Sequence, residues 1–156
     1  MANPKAYPKL NFPPVALRAR REAGRVVVFD SLRGMWVVLT PEEWVRRHVA
    51  GWLTAELGVV PQMIVEEYPV ELNGQPQRAD MVVVFPDGSV RLVVECKAPE
   101  VEVDSSVLAQ AVRYNSVVRS PLLLLTNGIS NRYFLTADFI SYREIDFCEF
   151  DQLMQI

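Results

Sequence analysis

The chain has 156 residues, half of them hydrophobic and 22% charged, with a formal net charge of −3 and a pI near 5.2. That is about one domain's worth of chain with enough apolar material for a core, which excludes a disordered polymer. No apolar run reaches the roughly 18 residues of a membrane span, and the acidic balance counts against tight autonomous binding to nucleic-acid phosphates.

The opening MANPKAYPKL has no hydrophobic signal core, so a cytoplasmic protein with no membrane association is expected. Pro4, Pro8, Pro13 and Pro14 mark residues 1–14 as extended, within an N-terminal arm over 1–25. Residues 26–156 are expected to form a single domain. A short helical turn is predicted over 15–21. Val26 to Asp30 and Met35 to Leu39 read as two strands joined by the turn Ser31-Leu32-Arg33-Gly34. Thr40-Pro41-Glu42-Glu43 is a helix start: Thr40 can cap, Pro41 suits the first helical position, and Glu43 stands where a capping box needs its acid. Val45, Val49, Trp52, Leu53 and Leu57 repeat at helical spacing, and Gly58 ends the helix.

Met63 to Leu72 is predicted as a strand, with Asn73-Gly74 as its turn. Asp80 to Phe85 and Val90 to Cys96 follow as strands around Pro86-Asp87-Gly88-Ser89. Asp104 or Ser105 caps a second helix that runs to about Arg119. Leu122 to Leu125 is short and apolar enough to be a buried strand, and Thr126-Asn127-Gly128 turns the chain. Arg132 to Leu135 and Ile140 to Ile145 are the last predicted strands. The order is helix, three strands, helix, strand, strand: an α+β fold with a mixed central sheet flanked by helices.

The sharpest chemical signal is Asp80 followed by Glu95-Cys96-Lys97. Side chains alternate across a strand, so Glu95 and Lys97 share a face and Cys96 points to the other, into the core. A hairpin brings Asp80 up to them. Two carboxylates and an ammonium at a sheet end can hold a divalent cation and a water beside a phosphate. The other reading of the triad is an edge salt bridge. Gln110 and Tyr114 are four apart on the second helix and share a face, either as a half-buried pair or as part of the same site.

On a helical projection Glu42 falls inside the core-facing stripe and Glu43 at its edge, so Glu42 is the candidate further site acid; the opposite assignment stays open. Glu66 could touch a metal's outer shell or pair with Arg78, the pairing being favoured, and Asp87 and Asp104 are expected to serve a turn and a cap. His48, the only histidine, is expected to be half exposed without a partner. Arg18, Arg20, Arg21, Arg25 and the pair Arg46-Arg47 could form a basic strip against DNA. Cys96 and Cys148 make neither a disulfide framework nor a CxxC zinc pattern.

Asp80 with Glu95-Cys96-Lys97 resembles the PD-(D/E)xK nuclease motif, and Gln110 with Tyr114 resembles the QxxxY motif of its RecB-like branch. TPEEWVR at 40–46, RAD at 78–80, ECKAP at 95–99, QAVRYN at 110–115 and LTNG at 125–128 together resemble the N-terminal nuclease domain of type I restriction enzyme R subunits. Ala79 stands where the motif has proline. The resemblance implies a restriction-endonuclease-like core, helix-strand-strand-strand-helix-strand, that cuts DNA phosphodiester bonds with Mg2+ or, in its place, Mn2+. It implies that Asp80 and Glu95 bind the metal and that Glu42 completes its shell. Lys97 would activate water and stabilise phosphate charge, and Gln110 and Tyr114 would position the DNA strand or the lysine. The sequence has no glycine-rich phosphate loop, so a motor or specificity subunit would act in trans, and a homodimer would supply two sites for two strands. The alternative is a non-catalytic nucleic-acid-binding or assembly module on the same fold.

Overall fold

A computed structural model describes residues 7–155; Pro4 and the rest of the predicted arm up to residue 6 lie outside the described residues. Two sheets organise the chain. The small one is a three-stranded antiparallel sheet of β1 (Ala19–Glu22), β2 (Arg25–Asp30) and β3 (Met35–Val38). Helix α1 (Pro41–Ala55) follows. The large sheet has six strands in sequence order: β4 (Ile64–Leu72), β5 (Gln75–Val84), β6 (Val90–Cys96), β7 (Leu122–Thr126), β8 (Asn131–Leu135) and β9 (Arg143–Ile145). Only β6 and β7 pair in parallel, because α2 (Ser105–Val118) carries the chain back across one face between them. Helix α3 (Phe147–Met154) closes the described chain.

The large sheet is buried on both faces, and period-two alternation sorts its residues. Met81, Val83, Leu92, Val94, Leu122 and Leu124 pack with Val45, Val49 and Leu53 of α1 and with Phe150 of α3. Val82, Val93, Leu123, Leu125 and Phe134 pack with Val107, Ala111 and Tyr114 of α2. All five residues of β7 are buried, as its central place requires. The predicted order helix, three strands, helix, strand is therefore present as an α+β core of the restriction-endonuclease-like kind.

Local chemistry places the helices. Thr40 Oγ1 accepts from the Glu43 amide at 3.0 Å to cap α1, and Gly58 adopts φ +70° just after it. Asp104 caps α2 by accepting from the Ser106 and Val107 amides. The predicted helical turn at 15–21 is instead part of a hairpin: Ala19–Glu22 pairs with Arg25–Val28 through a two-residue turn. Ala23 and Gly24 both have positive φ, at +51° and +78°, the geometry that matches strand twist. The last predicted strand shrinks to Arg143–Ile145, since Asp138 accepts from the Ile140 and Ser141 amides and holds the preceding segment as a loop. Helix α3 is an addition to the predicted elements; Asp146 caps it by accepting from the Glu149 amide at 2.8 Å. Among the described residues no helix is long and apolar enough to cross a membrane.

The segment before the small sheet packs into the main core through Leu10 and Phe12, and the Asn11 amide donates to the Gly128 carbonyl at 2.7 Å. Gly128 sits at φ +85°, and a Cβ there would stand 2.7 Å from Leu10 Cδ2. Gly128→Ala should therefore cost about 2 kcal/mol through backbone strain and overpacking. Urea unfolding measures it, and an unchanged midpoint would show that the Leu10 side chain yields freely.

Candidate active site

The β5–β6 register pairs Met81 with Val94, which sets Asp80 opposite Glu95. Asp80 is not at the start of its strand as predicted. β5 runs on from Gln75, but that half pairs only with β4, so Asp80 lies where β6 ends. Its Oδ2 accepts from the Cys96 amide at 2.7 Å, which fixes it against the β6 terminus. Beside it the β4–β5 ladder skips a rung: Glu66 pairs with Met81 and Tyr68 with Ala79, while Glu67 between them adopts φ +53°. A non-glycine residue at positive φ is strained, and such residues cluster at functional sites.

Glu95 is 2% exposed, and its Oε1 has no hydrogen-bond partner among the described residues. Burial and the facing Asp80 carboxylate push its pKa from 4.5 up to about 8. Asp80 is likewise raised, first by burial and then, among its neighbours, by Glu42 and Glu67. Cys96 is buried on the α1 side, with a thiol pushed well above its ordinary value by burial, which fits the predicted core role.

Lys97 follows β6, and its amide donates to the Thr126 carbonyl at 2.8 Å. Its Nζ donates to Gln110 Oε1 at 3.2 Å, and Gln110 Nε2 donates to the Tyr114 hydroxyl at 3.0 Å. An ammonium only donates, so it takes the amide oxygen and turns the amide nitrogen toward the phenol. Tyr114 is buried against the sheet, so the relay is anchored in the core. The loop after Lys97 is held by Asn127 Nδ2, which donates to the Val101 carbonyl at 2.8 Å.

The two helix acids are exchanged relative to the projection. Glu43 is buried and Glu42 exposed. Glu43 is drawn inward by Arg46 and Arg47, at 2.6 and 2.8 Å, and by Arg33. Glu42 makes no ion pair among the described residues, and it borders two adjoining clefts. One is a small cavity with Arg46, Glu67, Asp80 and Cys96; the other holds Lys97, Asp104, Ser106 and Gln110. Glu42 thus stands between the acids and the lysine although it is on the exposed side.

Three further expectations are corrected. Glu66 pairs with Arg47 and lies near Arg33 and Arg46, not with Arg78, which is exposed on the far half of β5. His48 is buried, and its Nδ1 lies 2.8 Å from the Trp44 carbonyl; burial lowers its pKa. Arg46 and Arg47 are held in the internal ion network and do not join the exposed Arg18, Arg20, Arg21 and Arg25.

Sequence reasoning missed Arg46 and Glu67 as neighbours of the site. Arg46 Nη1 donates to Glu67 Oε1 at 2.8 Å, and its charge acts to lower the Asp80 pKa against burial. The spacing Glu43–Arg46–Arg47 is the i, i+3, i+4 pattern that could have found the first. The divalent cation implied by the resemblance meets a hard-oxygen donor set of the right kind in Asp80, Glu95 and Glu42. The orphaned Glu95 oxygen is the atom such an ion would satisfy. Among the described residues no three acidic, cysteine or histidine side chains are already gathered in ligand geometry.

An acid whose folded pKa lies above its unfolded value binds an extra proton in the native state. Stability is then full below about pH 4.5 and falls as pH rises towards 8. Glu95→Gln should remove that slope and be more stable than the parent at pH 8. Comparing the two proteins cancels the opposing contribution of His48, whose lowered pKa favours the fold as pH rises to its unfolded value. Urea titrations across this range read the difference, and parallel curves would contradict the buried proton. The helix acids should separate by measurement. Glu43→Gln strands buried arginines and should cost about 3 kcal/mol, whereas Glu42→Gln should leave the unfolding midpoint in place.

No curated protein matches the chain. A family model does: that of the type I restriction enzyme R protein N terminus, over residues 41–146. The match runs from the first residue of α1 to the cap of α3 and so spans the large sheet, the carboxylates, Lys97 and the Gln110–Tyr114 pair. The chain belongs to the family of type I restriction enzyme R protein N-terminal domains.

Proposed function

We propose that this protein is a divalent-metal-dependent DNA endonuclease, with Asp80 and Glu95 holding Mg2+ or Mn2+, Glu42 completing the set, and Lys97 acting on the phosphate. The observation that carries the reading is the buried Glu95 carboxylate, orphaned at Oε1 and facing Asp80, with no cation paired to either among the described residues. Burying two facing acids is costly unless a cation joins them or one keeps its proton. When bound, the metal supplies positive charge at the phosphate and Lewis acidity toward water.

The chain's own residues do the rest. The Cys96 amide holds Asp80 by Oδ2 and leaves Oδ1 without a partner among the described residues. Lys97 presents fixed positive charge where negative charge develops on the phosphate, and Gln110, held by Tyr114, aims it. A loose four-carbon stem is thereby restricted before substrate arrives. In this reading DNA is the substrate, a motor or specificity subunit delivers it, and two copies of the chain would cut two strands.

Supercoiled plasmid and single-stranded DNA should be cut by the parent with Mg2+ or Mn2+ and not with chelator. Lys97→Ala should lower the rate by about 100-fold or more with metal binding retained. Asp80→Asn should weaken metal binding itself, read by calorimetric titration. Parent protein that neither cuts nor binds metal would leave the non-catalytic module as the surviving reading. Parent-rate cutting by Lys97→Ala would remove the lysine from the mechanism.

A further inference from the structure

The molecule concentrates positive charge in one exposed place that the cleft does not use. Residues 18–25 hold Arg18, Arg20, Arg21 and Arg25 against a single acid, Glu22, in a chain of net charge −3. Strand register sorts them by face. Arg20 lies opposite Val27, Glu22 opposite Arg25, and Phe29 opposite Trp36, so these residues share the outer face of the small sheet. The other face turns Val26 and Val28 inward onto Leu39. Arg18 joins the outer face: its guanidinium lies 4.9 Å from the Phe29 ring centre and 5.5 Å from that of Trp36, and Arg20 lies 4.0 Å from Trp36.

Stacking on a ring holds a guanidinium flat and leaves its N–H edge turned outward, the form that contacts a phosphate in two places. Arg20 shares its edge with Glu22 at 2.8 Å. Arg18 and Arg25 are exposed and make no ion pair among the described residues. The sheet is also tied to the cleft. The turn after Phe29 carries Arg33, which reaches Asp30, Glu43 and Glu66, and Glu43 borders the cavity of Asp80. β3 leads through Thr40 into the turn of α1 that bears Glu42.

We propose that the outer face of the β1–β3 sheet, through Arg18, Arg20 and Arg25 with Trp36, docks the phosphate backbone of DNA and orients it toward the acidic cleft. The occupant chosen rests on the nuclease reading above; the surface is separate from the site of that reading. An acidic cleft repels a polyanion, so a cationic platform on an element ion-paired to its border is what would let DNA approach it.

Binding of a fluorescent DNA duplex by the full chain over a KCl series tests this, with Ca2+ in place of Mg2+ to hold cleavage back. The triple variant Arg18→Gln, Arg20→Gln, Arg25→Gln should bind about tenfold more weakly or worse. Its salt slope should be shallower by about two to three, roughly one for each phosphate that the variant no longer neutralises. Arg25→Gln alone, at the hairpin end and clear of the ring stack, should weaken binding with the parent's unfolding midpoint, which guards against a folding artefact. Unchanged affinity and slope in both variants, or a parent that binds no DNA, would overturn the proposal. Tighter binding of RNA than DNA through the same residues would overturn it too. A parent that neither cuts nor binds metal yet loses DNA with these arginines would sink the nuclease reading and leave the docking face standing.

Discussion

A buried set of charges between the small sheet, α1 and β4 determines how the other parts meet. Arg33, Arg46 and Arg47 converge on Asp30, Glu43, Glu66 and Glu67. The Asp30 and Glu66 side chains at its centre are fully buried. Desolvating these groups is expensive, and the arrangement is tolerable only when every partner arrives together. It therefore selects one docking of the small sheet. A shift of the Asp30 turn by one residue would leave Arg47 facing Glu43 and Glu66 without its third acid. A buried ion cluster of this kind specifies geometry more than it adds stability. It sets the N-terminal turn of α1 beside the end of β6, and Glu42 is carried there with it.

The fold thus separates two populations of acids. Asp30 and Glu43 stand against guanidinium groups, which hold their carboxyls below the ordinary range despite burial. Glu95 is buried and Asp80 half-buried, but they face one another, and their pKa values rise. Arg46 stands at the boundary. It directs its hydrogen bonds to Glu43 and Glu67 and reaches only the backbone carbonyl of Asp80, at 3.5 Å. Arg46 lines the small cavity with Asp80 but gives its ion pairs to Glu43 and Glu67, so the facing Asp80 and Glu95 have no salt-bridged cation among the described residues.

How far this could be read from residues alone follows from how local each determinant is. The α1 start rests on Thr40, Pro41 and a first-turn acid; the Asn73-Gly74 turn and the Asp104 cap are equally local, and all were legible. So was the convergence of Asp80 with Glu95, because a short hairpin fixes it. β1 was not, since Ala23-Gly24 carries little of the Asn-Gly signal and the strand is defined by pairing with β2. α3 was not, since eight residues cannot hold a helix unaided; it stands on Phe150 against Trp52 and Tyr133. The Glu42–Glu43 inversion has a related cause. A projection that counts apolar neighbours cannot see that the buried stripe of α1 includes charged residues whose partners come from Asp30 and Glu66.

Lys97 weighs most heavily between a working site and an ornamental ion-pair cluster. If the triad existed to stabilise the hairpin, the lysine would close on Glu95 or Asp80, the nearest opposite charges. Among the described residues it forms no ion pair with either and instead donates to the neutral oxygen of Gln110. A neutral acceptor orients an ammonium without cancelling its charge, and the Tyr114 hydroxyl behind it leaves the amide one orientation to satisfy both partners. The acids, Asp80 on β5 and Glu95 near the end of β6, thereby stay without an ion-paired cation, and the lysine just after β6 stays apart from them. Folding stability alone favours collapsing that separation. Maintaining it is what the handling of a bound cation and an incoming phosphate on opposite sides of Glu42 would require.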